Sequence, residues 1–440
     1  MKFASKAAMA AALAISMSTS AFVAPAFAKK KDEKAENGQP PLKVGKEFRE
    51  TAVKAQKALQ ANDNATAKPL VAQLQSEAKT DDEKYFAAQL ALPLASREKD
   101  YAAMKPALQT LIASPRVSQA DKGKYNFVLA QLAMQDKDSA SALNYLKQAK
   151  ALGYSDPEMP LMMVRLQSDS GDTAGALASL NEAISADTAA GKKAPENLYR
   201  YGVQLAYDKK MDGPTMDWLE KWMSAYPSNE GWRKTIMIYF QMHPPATTQD
   251  GKKVKLDLMR LMQKTGALAN QSDYVEYAQT ANDLGLPYEA KSVIDAGKAD
   301  GKITSSSAAV KDIYQTATAG VRNDTPLATL KSKAESSSSG VAASQAGDVF
   351  LSHDDYQTAA SMYQTALQKG GVDANAVNLN MGIALAQAGQ YDAAKTALQA
   401  VQGAPRADVA GLWTAWVNGK QTGATAAPAA PAATPATTGN

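Results

Sequence analysis

Two pairs of segments in this 440-residue chain carry matching residues at a fixed distance. Ala142, Leu146 and Ala149 recur as Ala176, Leu180 and Ala183, each 34 residues on. Near the C-terminus Gly347, Phe350, Tyr356, Ala359, Tyr363 and Ala366 recur as Gly382, Leu385, Tyr391, Ala394, Leu398 and Val401, each 35 residues on, the extra residue being absorbed at Gly370-Gly371. A period in the thirties is the length of two short helices with their turns. A unit of that size leaves an apolar face open and must stack on neighbouring copies to bury it. An irregular helical bundle needs no such period, so the spacing argues for an all-α array of helical hairpins rather than a bundle.

From residue 47 to residue 419 the pattern is amphipathic helices of about 10 to 15 residues broken at Asn, Asp, Gly and Pro, with almost no strand signal. Within each unit a small residue in the first helix is followed three later by a large or aromatic one. A small residue then comes in the second helix, with a further Ala seven residues on. These residues resemble the tetratricopeptide repeat family. Weaker phases around Ala67, Met104, Pro214 and Ala290 extend the resemblance over the array, which at ~34 residues per unit predicts about eleven helix pairs. Ala at a helix crossing admits close approach, while Leu, Tyr and Phe fill the space beside it.

The resemblance implies a solenoid whose first helices line a groove that takes a peptide or protein partner. Carried over by register, the groove positions are Phe127, Gln131 and Met134, then Leu161 and Arg165, then Tyr199, Val203 and Tyr207, with Trp218 as a further aromatic anchor. Family members that clamp a C-terminal carboxylate use a Lys/Asn/Arg set, whose Asn pair is missing here. An extended or helical peptide with apolar side chains fits the mixture better.

The chain reads in six parts. Residues 1–28 have the order of a secretory signal: Lys2 and Lys6, an apolar run from Ala7 to Ile15, then Ala26-Phe27-Ala28 as a cleavage site. Residues 29–46 read as a flexible leader, 47–242 as N-terminal repeats, 243–255 as a Pro-containing polar break between two halves, 256–419 as C-terminal repeats, and 420–440 as a disordered Ala/Pro/Thr tail. With no cysteine in the chain, a lipid-anchored export signal, disulfides and thiolate chemistry are all excluded. No apolar run after the signal reaches the ~20 residues of a spanning helix. The expectation is an exported protein, periplasmic or secreted, with no membrane span or lipid anchor.

The net charge is +4, or +2 once the two leader lysines are set aside, and no basic field marks a nucleic-acid partner. His243 and His353 are the only histidines and lack a second ligand at helical or hairpin spacing, so neither a metal nor another cofactor is expected. Ser96-Arg-Glu-Lys99, Ser179-Leu-Asn181 and Lys264-Thr-Gly266 match the three short motifs of penicillin-recognising serine enzymes. In that family the last motif lies on a strand, whereas Lys264 ends a helical pattern here, and a non-enzyme is expected. Nine of the thirty aromatics fall between Leu198 and Met242, either as a recognition surface or as a local aromatic core. If these rings stack on sugars, the partner is an envelope polysaccharide or peptidoglycan. If they grip a peptide, the chain is a protein-binding scaffold, the reading preferred at this stage.

Overall fold

The computed structural model describes residues 41–304 and 307–421. The signal sequence, most of the leader and nearly all of the tail lie outside the described residues. Among those described, all regular structure is helical, in two compact units that part between Ala190 and Gly191. The first unit holds α1 (Lys46–Gln60), α2 (Asn64–Glu77), α3 (Asp81–Glu98), α4 (Tyr101–Ala113), α5 (Gln119–Gln135), α6 (Ser139–Ala151), α7 (Met159–Asp169) and α8 (Thr173–Ala189). The second holds α9 (Glu196–Asp208), α10 (Asp212–Ala225), α11 (Asn229–Met242), α12 (Gln249–Lys264), α13 (Gln271–Asp283), α14 (Pro287–Ala299) and α15 (Ala308–Arg322). It continues with α16 (Leu327–Ser336), α17 (Gly340–Ser352), α18 (Tyr356–Lys369), α19 (Ala374–Gln387), α20 (Tyr391–Gln399) and α21 (Arg406–Gln421).

One turn builds eight of the hairpins. A single residue takes the left-handed conformation, with φ between 53° and 81°, at Asn62, Lys99, Lys137, Gly171, Lys210, Gly285, Asp354 and Gly389. The next amide donates back five residues, as from Asp63 to the Ala58 carbonyl or from Gln390 to that of Leu385, both at 2.9 Å. That bond satisfies a carbonyl the first helix leaves open and reverses the chain. In five hairpins the residue after the turn is an aspartate, and Asp63, Asp100, Asp138, Asp172 and Asp355 each accept from the amide three residues on. The carboxylate thus both caps the second helix and complements its dipole.

Five residues beyond each left-handed turn the second helix crosses the first most closely. Those positions, Ala67, Met104, Ala142, Ala176, Thr215, Ala290, Ala359 and Ala394, are all at most 1% exposed. The register read from the 34- and 35-residue spacings is therefore the observed one, except that the phase near Pro214 belongs to Thr215. On the first helix a small residue faces a large one sixteen positions later. A Cβ on Gly347 would lie 2.6 Å from the Tyr363 ring, one on Gly382 would lie 2.6 Å from Leu398, and one on Gly202 would overlap the Trp218 ring.

The pairs α11–α12 and α15–α16 in the second unit lack this turn. Pro244 and Pro245 follow the end of α11, but Thr248 accepts from the Gly251 amide at 3.2 Å and starts α12 at once. Residues 243–248 thus connect two helices within the second unit, and the contact boundary of the chain lies earlier, at Ala190. The helix α12 is buried on every side through Leu256, Asp257, Leu258, Met259, Arg260, Leu261 and Met262, as expected only for a helix enclosed by others. It bonds to α13 through Lys255 and Glu276 at 2.7 Å and to α17 through Lys253 and Asp348 at 3.6 Å. Its last turn reaches α18 through Lys264 and Tyr356 at 2.9 Å. The final helix, α21, packs against α20 and α19, as sequence order requires, and also against α10 and α12.

Candidate partner-binding face

The left-handed turn gives a common ruler for the first helices. Counting back ten, six and three residues from it gives Gln89, Pro93 and Ser96 on α3, Phe127, Gln131 and Met134 on α5, and Leu161, Arg165 and Ser168 on α7. The spacing places each set on one stripe of its helix. These helices are neighbours through shared core: Val128, Leu129 and Leu132 of α5 pack in one cluster with α3, while Phe127, Ala130 and Ala133 pack with Met159, Met163 and Leu166 of α7.

Gln131 and Met134 are half-buried at the surface, and Leu161 and Arg165 are exposed. Leu161 is the informative one. At 44% exposure it is the most open large apolar side chain among the described residues, on the face where Arg165 lies 3.9 Å from Asp169 in an exposed ion pair. Phe127 corrects the expectation: it is only 6% exposed, its ring 5.2 Å from that of Tyr154, and it belongs to the core between hairpins. Sequence reading missed Gln89, whose amide donates to the Tyr85 hydroxyl at 2.5 Å, and Asp82, which accepts from the Arg116 Nε and one Nη at 2.6 and 3.1 Å. The Arg116 hydrogen bond holds the Asp82 carboxyl below its usual range. Burial, with Asp121 nearby, pushes the Tyr125 phenol on α5 up to about 12, so it is a neutral donor at physiological pH.

The expectation slips by one residue on α9. The left-handed turns at Gly171 and Lys210 are 39 residues apart rather than 34, so Tyr199 and Val203 fall one position off the stripe. A single residue turns a helix by 100°. Tyr199 is accordingly 8% exposed, its ring 5.7 Å from Tyr226, and Val203 is 5% exposed in the hairpin interior. The residues on the stripe are Arg200 and Gln204, both exposed. Tyr207 is where it was expected, half-buried, its hydroxyl donating to Gln241 at 3.1 Å.

Trp218 is not a surface anchor either. It is 2% exposed, filling the space that Gly202 leaves. Trp222 donates its Nε1 to Glu196 at 3.0 Å and Tyr226 its hydroxyl to the Ala194 carbonyl at 2.6 Å, while Trp232 and Tyr239 are each 1% exposed. Five of the nine aromatics of this stretch are thus buried in the core.

The second unit holds a polar centre that sequence reading missed. Arg260 on α12 grips Glu289 of α14 with two nitrogens at 2.8 and 2.7 Å and Asp257 at 3.0 Å, all three side chains being buried. Tyr277 of α13 donates to the same Glu289 at 2.8 Å. Two carboxyls share one guanidinium, and burial pushes the Asp257 carboxyl up to about 7, whereas the neighbouring acids hold Arg260 charged. The available signal was the apolar run Leu256–Met262, whose only polar residues, Asp257 and Arg260, lie three apart on one helix face. This centre is closed, joining α12, α13 and α14 rather than opening to a ligand.

The three enzyme-like motifs do not meet the geometry of a site. Ser96 is on α3. Ser179 is buried in α8 and hydrogen-bonded to Gln167 at 2.7 Å. Lys264 closes α12, with no strand beside it among the described residues. Among those residues, too, no group of His, Asp and Glu is placed to hold a metal ion, and no helix is long and apolar enough to cross a membrane.

Three solved structures similar to the chain span most of it. The APC/C hetero-tetramer Cut9-Hcn1 is 14% identical, with 83% of this chain and 66% of that one covered, just under two thirds of its length, at a TM-score of 0.21. The P58(IPK) TPR domain is 14% identical, with 86% and 99% covered and a TM-score of 0.21. Yeast Tom70 is 12% identical, with 86% and 89% covered and a TM-score of 0.22. At such scores the likeness adds nothing to the hairpin geometry, which stands on this chain's own contacts. No family model and no curated protein matches the chain.

Proposed function

We propose that the chain is an exported, non-catalytic scaffold or adaptor of the bacterial cell envelope, and that the stripe on α3, α5 and α7 binds a peptide segment of a protein partner. The observation that carries this reading is Leu161, an apolar side chain left 44% exposed on the stripe one turn from Arg165, with Gln131 on the same stripe of the neighbouring α5. An apolar anchor flanked by an arginine and an amide suits a peptide, whose side chains fill the apolar site while its backbone meets the polar groups. The alternative partner, a polysaccharide or peptidoglycan, would need ring faces open for stacking. Trp218, Trp222 and Trp232 are in the core, which disfavours it. Export, and a periplasmic or secreted location, rest on the N-terminal signal order alone.

The test uses the full chain. Envelope proteins captured by wild type are compared with those captured by Leu161→Asp and Arg165→Ala, with Lys147→Ala as an exposed control off the stripe. Capture of a defined protein should fall at least about tenfold in the first two, with unchanged melting and an unaffected control. Equal capture by all four proteins refutes the assignment, and capture of glycan strands instead of protein would establish the alternative. Mass spectrometry of the exported protein should find Lys29 as its first residue.

A further inference from the structure

The last helix does more than end the array. Trp413, fully buried, donates its Nε1 to the Asp257 carbonyl of α12 at 3.2 Å, and Arg406 pairs with Asp250 and, at 3.4 Å, with Asp373. Between these anchors α21 lies along α10 at Gly411, where a Cβ would overlap the carboxyl of Glu220. Glu220 is therefore pressed against the backbone of α21, and among the described residues it makes no hydrogen bond or ion pair.

Its charged surroundings are mostly of its own sign. From α10 it faces Asp217 and the opposing Lys221, and from α21 it faces Asp408. Asp408 in turn faces Asp212 and Asp217 of α10, with His243, just past α11, as the opposing charge. On α11 itself the Tyr239 hydroxyl is buried without a partner. On α9, Glu196 accepts from the Trp222 Nε1 and Arg200 lies over the Trp222 ring. Burial, reinforced by Asp217 and Asp408, pushes the Glu220 carboxyl up to about 7, and burial also raises that of Asp408.

We propose that the seam between α10 and α21 is a proton-operated clasp, closed while Glu220 carries its proton and loosened when Glu220 and Asp408 are both ionised. Once α21 lifts from α10 the half-buried Glu220 carboxyl gains further solvent and returns towards its ordinary 4.5. The closed state therefore binds the proton more tightly than the open one. Closure weakens as pH rises from about 4.5 towards about 7 and levels off above that. The anchors at Trp413 and Arg406 bind α12 and the start of α19, so the opening is local to the α10 contact.

Hydrogen exchange of the full chain between pH 5 and pH 8, corrected for intrinsic exchange, tests this. Protection of the α21 amides should fall at least about tenfold across that range, while the α5 amides keep theirs. Glu220→Gln should flatten the pH dependence, and Asp408→Asn should move its midpoint down. Gly411→Ala should lower α21 protection at every pH. The proposal is overturned if wild-type α21 protection is constant from pH 5 to pH 8, or if Glu220→Gln, folded as judged by its α5 protection, follows the wild-type curve.

Discussion

The contact between Gly202 and Trp218 can be broken and remade from parts the chain already contains. Adding a methyl at residue 202 drives it into a Trp218 ring that is 2% exposed and enclosed by its hairpin. Overpacking of that kind costs roughly 1 to 3 kcal/mol, less ~1 kcal/mol recovered because Ala is a better helix former than Gly. Trp218→Leu removes the obstructing ring but leaves a void, and as a partial truncation it should cost about 2 kcal/mol, below the ~3 to 5 kcal/mol of a full Trp→Ala change. The double variant replaces the ring with a smaller side chain that leaves room for the added methyl. It should therefore be more stable than the sum of the single losses by about 1 to 2 kcal/mol. Urea unfolding followed by far-ultraviolet circular dichroism measures all four corners of the cycle. Additivity within ~0.5 kcal/mol would mean that residues 202 and 218 do not touch, and the core assignment of Trp218 would fail.

Two further outcomes follow from the same packing. Ala142→Leu and Ala359→Leu, at crossings with no exposed surface, should each cost roughly 1 to 3 kcal/mol in unfolding experiments, whereas Ala178→Leu on the open face of α8 should stay within about 0.5 kcal/mol. Arg260→Met leaves Glu289 and Asp257 buried without their cation and should cost about 3 to 5 kcal/mol. Burial already raises the Asp257 carboxyl, and without the guanidinium it folds most easily when protonated, so the loss should be larger at pH 8 than at pH 5.

The hairpins were legible because their turn leaves a local signature: a left-handed residue, in five of the eight a capping Asp, and a buried, mostly small residue five further on, all within one unit. Where that spacing held, the burial of Ala142, Ala176, Ala359 and Ala394 could be read directly. It failed on α9, where five additional residues between the Gly171 and Lys210 turns, most of them in the longer α8, broke the count and put Tyr199 and Val203 in place of Arg200 and Gln204. Trp218 was ambiguous because a ring of that size suits an interface as well as a core, and only its facing Gly202 distinguishes the two. The enclosure of α12 and the return of α21 onto α10 were not legible at all. They join residues as far apart as Asp257 and Trp413, and a repeat period reports only the nearest neighbours along the chain.

The most direct test of the partner-binding face is photo-crosslinking in the exporting cell, with one photoreactive residue at a time placed at Gln131, at Arg165, or at Gln148 on the exposed side of α6. The first two should yield the same discrete adduct with an envelope protein, and Gln148 should yield none. Equal adducts at all three positions, or an adduct at Gln148 alone, would place the partner elsewhere and contradict the proposed binding stripe.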